Sequence, residues 1–264
     1  MEIFKEIEPN LILGQHFLID EKIINQLISF AELKKADIIL EIGPGTGNIT
    51  KKLAEKVKKV IAVEIDSSMK NFLHSIPKNV ELIFEDAIKY LKKNPPFFNK
   101  IISNLPYSLC EAIINYLCFN NIFDLAILIL PQNFAENLKN HIIFSSFLKT
   151  EILQNIPRTA FYPEPKTDSV ITKITPRPSY KFDKDEKAFI CRKLYLQWDK
   201  KLKNGLREAL IDFYKLKKDQ IITKKQAKAK IENMGFPQEL IEKEIEHLSL
   251  EEYQLIISKC QDQI

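Results

Sequence analysis

The sequence lacks the long apolar run that a membrane-spanning helix needs. The stretch "FDLAILIL" at 123–130 is only as long as a buried strand. Residues 1–20 also show no basic-then-apolar signal peptide, because charged residues interrupt them. We therefore expect a cytoplasmic protein with no membrane partner.

Paired cysteines are absent as well. Cys110, Cys118, Cys191 and Cys260 are scattered along the chain, no CxxC occurs, and the histidines do not accompany them at ligand spacing. This pattern excludes a disulfide framework and a typical zinc site, so we expect reduced thiols and no metal. The chain also shows no internal repeat and no low-complexity tract.

The first part of the chain alternates short apolar runs with helical patterns. Such alternation predicts an α/β fold with a parallel, Rossmann-like sheet covered on both faces. Two further strands after residue 150 are expected to close the sheet. The predicted strands are 37–43, 60–66, 79–86, 100–104, 125–130, 151–156 and 169–176, and the predicted helices are 22–33, 48–59, 67–75, 87–93 and 108–119.

A proline-containing linker at 176–182 divides this sheet from a region that is helical throughout. Residues 181–231 hold sixteen Lys and Arg against seven Asp and Glu, so the excess of positive charge lies there. We therefore predict a catalytic domain at 1–178 and a smaller all-helical, basic domain at 179–264. Trp198 is expected in the core of the second domain.

The segment "EIGPGTGNIT" at 41–50 forms a glycine loop between the first strand of the sheet and the next helix. Gly43, Gly45 and Gly47 allow close approach of a ligand, and no Lys-Ser/Thr pair follows to grip a pyrophosphate. Glu64 and Asp86 end the next two strands, where they suit ribose hydroxyls and an adenine amine. Together these residues indicate a nucleoside ligand without phosphates, and S-adenosylmethionine fits.

Six short motifs stand in the order and spacing of a known family: "GQHFLID", "EIGPGTG", "VEID", "EDA", "NLPY" and "AFYPEPKTDS". Residues 10–178 resemble the rRNA adenine dimethyltransferases, which are related to the macrolide-resistance rRNA methyltransferases. "KKLKNGLREAL" and "EHLSLEEY" resemble the helical domain of this family. The resemblance implies S-adenosylmethionine-dependent dimethylation of adenosine amines in small-subunit ribosomal RNA. We expect a monomer whose partner is the small ribosomal subunit precursor.

The resemblance gives the tetrapeptide "NLPY" a catalytic role. The side-chain oxygen of Asn104 and the carbonyl of Leu105 would accept the two hydrogens of the adenine amine and localise its lone pair. Pro106 fixes φ and so aims that carbonyl. Tyr107 would stack on the flipped-out base, and the resemblance implies that Phe161 closes the opposite face.

Other cofactor contacts rest on the resemblance alone. Glu41 has two equal interpretations, a contact to the methionine end of the cofactor or a strand-terminal residue without that role. The resemblance implies further cofactor contacts from Gln15, His16, Leu18, Ile65, Ala87 and, shared with catalysis, Asn104.

The match weakens after the fifth strand. The segment "LPQNFAENLKNHIIFSSFL" at 130–148 keeps Gln132, Ala135 and Glu136 of the family pattern. Asn133 and Asn137 stand where the family has basic residues, and the segment is shortened. It borders the expected RNA entrance, so substrate range or rate is expected to differ.

The basic helical domain is expected to bind the RNA. Lys200, Lys201, Lys203 and Arg207 are predicted to bind RNA phosphates, which gives affinity and salt dependence but no sequence choice. The alternative interpretation of these residues is a solvated helix face. Two alternative functions also stay open: a large-subunit rRNA methyltransferase of the macrolide-resistance type, and a non-catalytic ribosome-assembly or transcription factor.

Overall fold

The computed structural model describes residues 9–10, 13–93, 97–120, 122–179 and 182–261. They divide into two compact units, one built from 1–139 and 149–176, the other from 140–148 and 177–264. The change of unit near 176 lies close to the predicted linker. The roles assigned to domains 1–178 and 179–264 stay predictions.

The first unit is built on a seven-stranded sheet with the order β4-β3-β2-β5-β6-β9-β7. The five strands from β4 to β6 are parallel, and β9 runs antiparallel to β6. This confirms the predicted α/β fold. The strands are β2 (Ile38–Ile42), β3 (Lys59–Glu64), β4 (Val80–Phe84), β5 (Lys100–Asn104), β6 (Leu125–Pro131), β7 (Leu148–Ile156) and β9 (Ser169–Pro176); the short strands β1 (Phe17–Leu18) and β8 (Phe161–Tyr162) pair separately.

Helices connect the parallel strands, and their apolar faces pack on the sheet. A further helix precedes β2 and is capped by Asp20, whose carboxylate accepts hydrogen bonds from the amides of Lys22 and Ile23. Because each strand is followed by a helix, the carboxyl ends of the parallel strands share one edge of the sheet. The helices are α1 (Glu21–Phe30), α2 (Asn48–Ala54), α3 (Lys70–Leu73), α4 (Ala87–Lys93), α5 (Cys110–Phe119) and α6 (Gln132–Asn140).

The second unit is helical, as the sequence predicts. It includes a segment that the sequence does not assign to it, residues 140–148, where the Ile142 carbonyl accepts from Cys191 Sγ and the Phe147 ring meets Tyr195 edge-on. Its helices are α7 (Phe144–Phe147), α8 (Glu186–Tyr195), α9 (Leu202–Lys217), α10 (Lys224–Asn233), α11 (Gln238–Glu242) and α12 (Leu250–Gln261).

Two sequence expectations about side chains have different outcomes. The four cysteines are free and buried, and burial raises the pKa of each thiol to about 12. Trp198 was expected in the core, and this is wrong, because the residue is 58% exposed. Within the described residues, no helix is long and apolar enough to cross a membrane.

A buried ion cluster organises the start of the second unit. Asp183 accepts from Arg177 and from Arg192, each at 2.7 Å, and Arg177 also reaches Asp185 at 2.9 Å. Burial alone raises the pKa of Asp183, but the hydrogen bonds and charges of the two arginines lower it to about 2. The carboxylate is therefore charged at neutral and mildly acidic pH.

We predict that Asp183→Asn costs about 3–5 kcal/mol of stability at pH 7, because it leaves the buried guanidinium of Arg192 without its carboxylate partner. Since the folded pKa is depressed, the stabilisation is complete above about pH 4 and is lost as the pH falls toward 2. Urea unfolding followed by circular dichroism measures both effects.

Asp199→Asn is the matched control, because Asp199 is exposed. It should change the free energy of unfolding by less than about 0.5 kcal/mol. The same cost for both variants, or a cost of Asp183→Asn that does not shrink below pH 4, contradicts the assigned cluster.

Candidate active site

A cleft lies at the carboxyl edge of the sheet in the first unit. Four segments form its walls: the chain before β1, the glycine loop after β2, the end of β3, and the tetrapeptide after β5. The lining residues are Leu13, Gly14, Gln15, His16, Phe17, Gly43, Gly45, Glu64, Ile65, Asn104, Leu105, Pro106 and Tyr107.

Glu64 fixes the centre of the cleft. Its Oε2 accepts from the Gly45 amide at 3.0 Å, and its Oε1 accepts from the Asp66 amide at 2.9 Å. Burial raises the pKa of Glu64, while these backbone hydrogen bonds favour the charged form. The carboxylate is thus held at the strand end with lone pairs left for two hydroxyl groups.

The glycine loop passes close to two rings of the cleft. Gly43 has φ +70°, and a Cβ there would lie 3.1 Å from Pro106 Cγ; Gly45 has φ +54°, and a Cβ there would lie 2.9 Å from the Phe17 ring. Only glycine accepts both the backbone conformation and the contact without strain. The loop therefore brings backbone, not side chains, to the ligand.

Asn104 ends β5 and is oriented by one hydrogen bond. Its Nδ2 donates to the His16 carbonyl at 2.7 Å. A carbonyl oxygen only accepts, so the nitrogen of the amide must face His16 and the oxygen Oδ1 must face the other way. The amide oxygen is thereby set as an acceptor beside the cleft.

Leu105 supplies a second acceptor next to the first. Its side chain is buried, whereas among the described residues no donor bonds its backbone carbonyl. Pro106 follows with φ −54° and ψ 129°, which limits rotation of this turn. Asn104 and Leu105 thus offer acceptors on consecutive residues, and their predicted role toward an adenine amine stays a prediction.

Tyr107 is held on the cleft wall. Its hydroxyl shares a hydrogen bond of 2.5 Å with the Ser169 hydroxyl, and its ring centroid lies 5.6 Å from that of His16. Burial raises the pKa of Tyr107, so the phenol is neutral at physiological pH. Its predicted stacking on a base stays a prediction.

Side-chain hydrogen bonds of Gln15 and His16 anchor the chain before β1 at the cleft. Gln15 Nε2 donates to Asp66 Oδ2 at 2.6 Å, and His16 Nδ1 donates to the Pro163 carbonyl at 2.8 Å. Asp66 also caps the turn after β3, where its side chain accepts from the Ser68 amide. Burial raises the pKa of Asp66, but hydrogen bonds from Ser68 and Gln15 outweigh this and lower it.

Two predicted site residues are absent from the lining of the cleft. Leu18 and Phe161 face each other as partners of the β1–β8 pair, and both are buried in the hydrophobic core. Phe161 is 2% exposed, so in this structure it does not cover a face of the cleft. Their roles toward cofactor and base stay predictions.

Four other predicted cofactor residues also lie off the lining. Gly47 serves as the N-cap of α2 with φ 79°, Asp86 accepts from the Lys89 amide at 2.8 Å, and Ala87 is buried. Burial, with a smaller contribution from the charge of Glu64, raises the pKa of Glu41 to about 8. Glu41 is thus largely protonated at pH 7, and its Oε2 lacks a partner among the described residues.

The sequence did not single out three residues of the lining: Leu13, Gly14 and Phe17. The signal for Phe17 was its place between the motif residues His16 and Leu18. In a two-residue strand, neighbouring side chains point to opposite sides, so only one of Phe17 and Leu18 can face the cleft. Ile65, which the resemblance implied, lines the cleft and is half exposed.

The chain's residues fit S-adenosylmethionine. Gly43 and Gly45 form a cradle that a Cβ would fill, and Glu64 presents a carboxylate suited to ribose hydroxyls. Ile65 offers an apolar surface for a purine ring. Among the described residues that line the cleft there is no Lys or Arg that would favour a phosphate in place of the nucleoside.

The predicted RNA-binding lysines of the second unit hold carboxylate partners. Lys200 pairs with Glu208 at 2.6 Å, and Lys201 and Lys203 pair with Glu242 at 3.1 and 2.6 Å. Arg207 makes no ion pair with a described residue. Exposed pairs of this kind are weak and exchange readily, so the lysines stay candidates for phosphate contacts.

Comparison with known proteins gives one consistent result. A family model described as ribosomal RNA adenine dimethylase matches residues 8–235. A probable ribosomal RNA small subunit methyltransferase A from Methanosarcina barkeri is 38% identical over 208 residues, which cover 73% of this chain and 71% of the relative. A protein of the same description from Methanopyrus kandleri is 32% identical over 217 residues, covering 76% and 77%.

Solved structures share the fold. A dimethyladenosine transferase from Plasmodium falciparum aligns with TM-score 0.60 and 28% identity, covering 94% of this chain and 98% of that one. The 23S rRNA methyltransferase ErmE aligns with TM-score 0.57 and 20% identity, covering 93% and 99%. At 20% identity the second likeness concerns the fold alone.

We predict that Gly45→Ala weakens binding of S-adenosylmethionine at least about tenfold, because the added methyl group must displace the Phe17 ring, which lines the cleft. Isothermal titration with the full chain measures the affinity. Gly235→Ala is the matched control: Gly235 also has positive φ, at 62°, but nothing lies closer than 4.0 Å to its added Cβ.

In both variants the alanine must adopt a left-handed backbone conformation, which lowers the free energy of unfolding by about 1–2 kcal/mol. Only Gly45→Ala is expected to lose cofactor affinity. Equal affinities for the two variants would show that the close approach of the loop to Phe17 does not shape the cofactor site.

Proposed function

The chain belongs to the ribosomal RNA adenine dimethylase family and is therefore an S-adenosylmethionine-dependent methyltransferase of ribosomal RNA. On that premise we propose that Asn104 and Leu105 activate the target amine. The target is the exocyclic amine of adenosines in small-subunit ribosomal RNA. The observation that carries the residue assignment is the orientation of the Asn104 amide by the His16 carbonyl.

The two acceptors solve the main chemical difficulty. The amine of adenine is a poor nucleophile, because its lone pair is delocalised into the ring. Asn104 Oδ1 and the Leu105 carbonyl each accept one of its two hydrogens, which favours a pyramidal nitrogen with a localised lone pair. Because both acceptors are fixed before the substrate arrives, little reorganisation is needed in the transition state.

The transfer needs no strong base from the protein. When bound, S-adenosylmethionine supplies an electrophilic methyl group on a positively charged sulfur. Glu64 and the glycine loop fix the nucleoside end of the cofactor in the cleft that also holds the two acceptors. The methylated amine is strongly acidic, so its proton leaves to a nearby carbonyl or to water.

A second methyl transfer to the same nitrogen makes a smaller demand on the acceptors. The monomethyl amine has one hydrogen left, so only one of Asn104 Oδ1 and the Leu105 carbonyl remains engaged. Tyr107 lines the cleft beside both and provides a surface on which the base can stack. A base within an RNA helix must first flip out, and this stacking offsets part of the cost.

The choice of small-subunit RNA rests on the relatives. Those that are 32–38% identical to this chain are described as small subunit methyltransferases. The structural likeness to a large-subunit methyltransferase, at 20% identity, concerns the fold and gives the alternative no further support. We propose the small ribosomal subunit precursor as the partner, with a monomeric enzyme acting in the cytoplasm and the basic helical unit binding RNA phosphates.

We predict that Asn104→Ala lowers the rate of methyl transfer about 10²- to 10³-fold, because one of the two acceptors is lost. Binding of the RNA should change less than about twofold, since Asn104 contributes no phosphate contact. Transfer of labelled methyl groups and filter binding of the RNA measure the two quantities. Asn233→Ala, at an exposed position of α10, is the control and should retain full activity.

If Asn104→Ala and the wild type methylate at the same rate, the assigned acceptor is wrong. If neither methylates any ribosomal RNA although both bind it, the chain is a non-catalytic ribosome-assembly factor.

We predict that purified small subunits lacking adenine methylation accept two methyl groups per target adenosine, and that large subunits accept none. Mass spectrometry of digested RNA distinguishes mono- from dimethyladenosine. Labelling confined to the large subunit would favour the alternative function.

A further inference from the structure

The helical unit contains a second cavity, with a volume of about 500 Å³. It lies among α9, α10 and α11, and it shares no lining residue with the catalytic cleft. Its size is in the range of small-molecule sites. Its lining residues are Lys203, Asn204, Arg207, Lys228, Ile231, Glu232, Phe236, Gln238, Ile241 and Glu242.

The charges of the cavity leave one cation without a carboxylate. Lys203 pairs with Glu242 at 2.6 Å, and Lys228 faces Glu232 at 3.6 Å. Arg207 has no such partner within the described part of the chain, and its Nε is buried without a hydrogen-bond acceptor. Proteins rarely keep a buried donor unpaired, so the guanidinium points to an acceptor that a ligand supplies.

The rest of the lining suits a flat aromatic group. Phe236, Ile231 and Ile241 provide an apolar wall, and Lys259 Nζ lies 5.6 Å from the centre of the Phe236 ring. Asn204 and Gln238 add amides that both donate and accept, as the edge of a nucleobase requires. The guanidinium of Arg207 is suited to the oxygens of a phosphate.

We propose that this cavity binds a single nucleotide, with the base against Phe236 and the phosphate on Arg207. Two sources supply that chemistry: a free nucleoside monophosphate, or an unstacked nucleotide of the RNA substrate. The second source rests on the proposed function of the chain. An RNA nucleotide held here would hold the helical unit on its substrate by more than phosphate contacts.

Nuclear magnetic resonance of the full-length chain tests the proposal with AMP as the probe. S-adenosylhomocysteine is added first, so that AMP does not report on the catalytic cleft. We expect the Nε–H signal of Arg207 to shift with AMP in a saturable way. Absence of any shift up to about 10 mM AMP, a concentration that would detect millimolar affinity, overturns the proposal.

Three variants separate the parts of the site. Arg207→Gln should weaken AMP binding at least about tenfold, because it removes a charge-assisted hydrogen bond. Phe236→Leu should weaken AMP about fivefold or more and leave binding of inorganic phosphate unchanged, since it removes only the stacking surface. Lys225→Gln removes the same charge from an exposed position of α10 and should change AMP binding less than about twofold.

If Arg207→Gln and Lys225→Gln weaken AMP equally, the effect is general electrostatics and the proposed site is wrong. Thermal melting verifies that each variant is folded, and the wild-type Arg207 signal needs no variant at all. Displacement of AMP by a single-stranded RNA oligonucleotide identifies RNA as the source; a lack of displacement identifies the free nucleotide.

The test also separates this site from the proposed function. Failure of the catalytic assignment would appear as equal methylation rates of Asn104→Ala and the wild type. Failure of the cavity would appear at Arg207 alone.

Discussion

The hydrogen bond from Asn104 Nδ2 to the His16 carbonyl is the contact on which the active site depends. It joins residues 88 positions apart and decides which end of a nearly symmetric amide faces the cleft. Because a carbonyl cannot donate, the orientation follows from chemistry and not from an assumed assignment of the amide. An amide turned the other way would present a donor to an amine that itself donates, and the site could not bind adenine.

The same constraint explains why the chain before β1 belongs to the site. The side chain of Gln15 donates a hydrogen bond to Asp66, and that of His16 donates one to the Pro163 carbonyl. The segment is therefore anchored at two points, and its backbone orients Asn104. Gly45 allows Phe17 to pack against the loop at a distance that no other residue permits. The cleft is therefore assembled from four distant parts of the sequence, and no part forms it alone.

The sequence predicted those features that depend on local pattern. Short apolar runs alternating with helical patterns indicated the parallel strands, and strand ends located Glu64 and Asn104 at one edge of the sheet. It could not predict which of two neighbouring side chains faces the cleft, so Leu18 and Phe161 were expected there while Phe17 was overlooked. It also missed the exposure of Trp198 and the packing of residues 140–148 with α8, because both depend on tertiary contacts that periodicity does not report.

Charge counting found the basic region, but only the structure separates the paired Lys203 from Arg207, which has no carboxylate partner among the described residues.

The most direct measurement of the central claim is a crystal structure of the chain with S-adenosylhomocysteine and a short RNA that carries the target adenosine. The account predicts that the adenine amine nitrogen lies about 3 Å from both Asn104 Oδ1 and the Leu105 carbonyl, with Nδ2 still on His16. A flipped adenine whose amine meets neither oxygen, or an Asn104 amide turned away from the base, would contradict it.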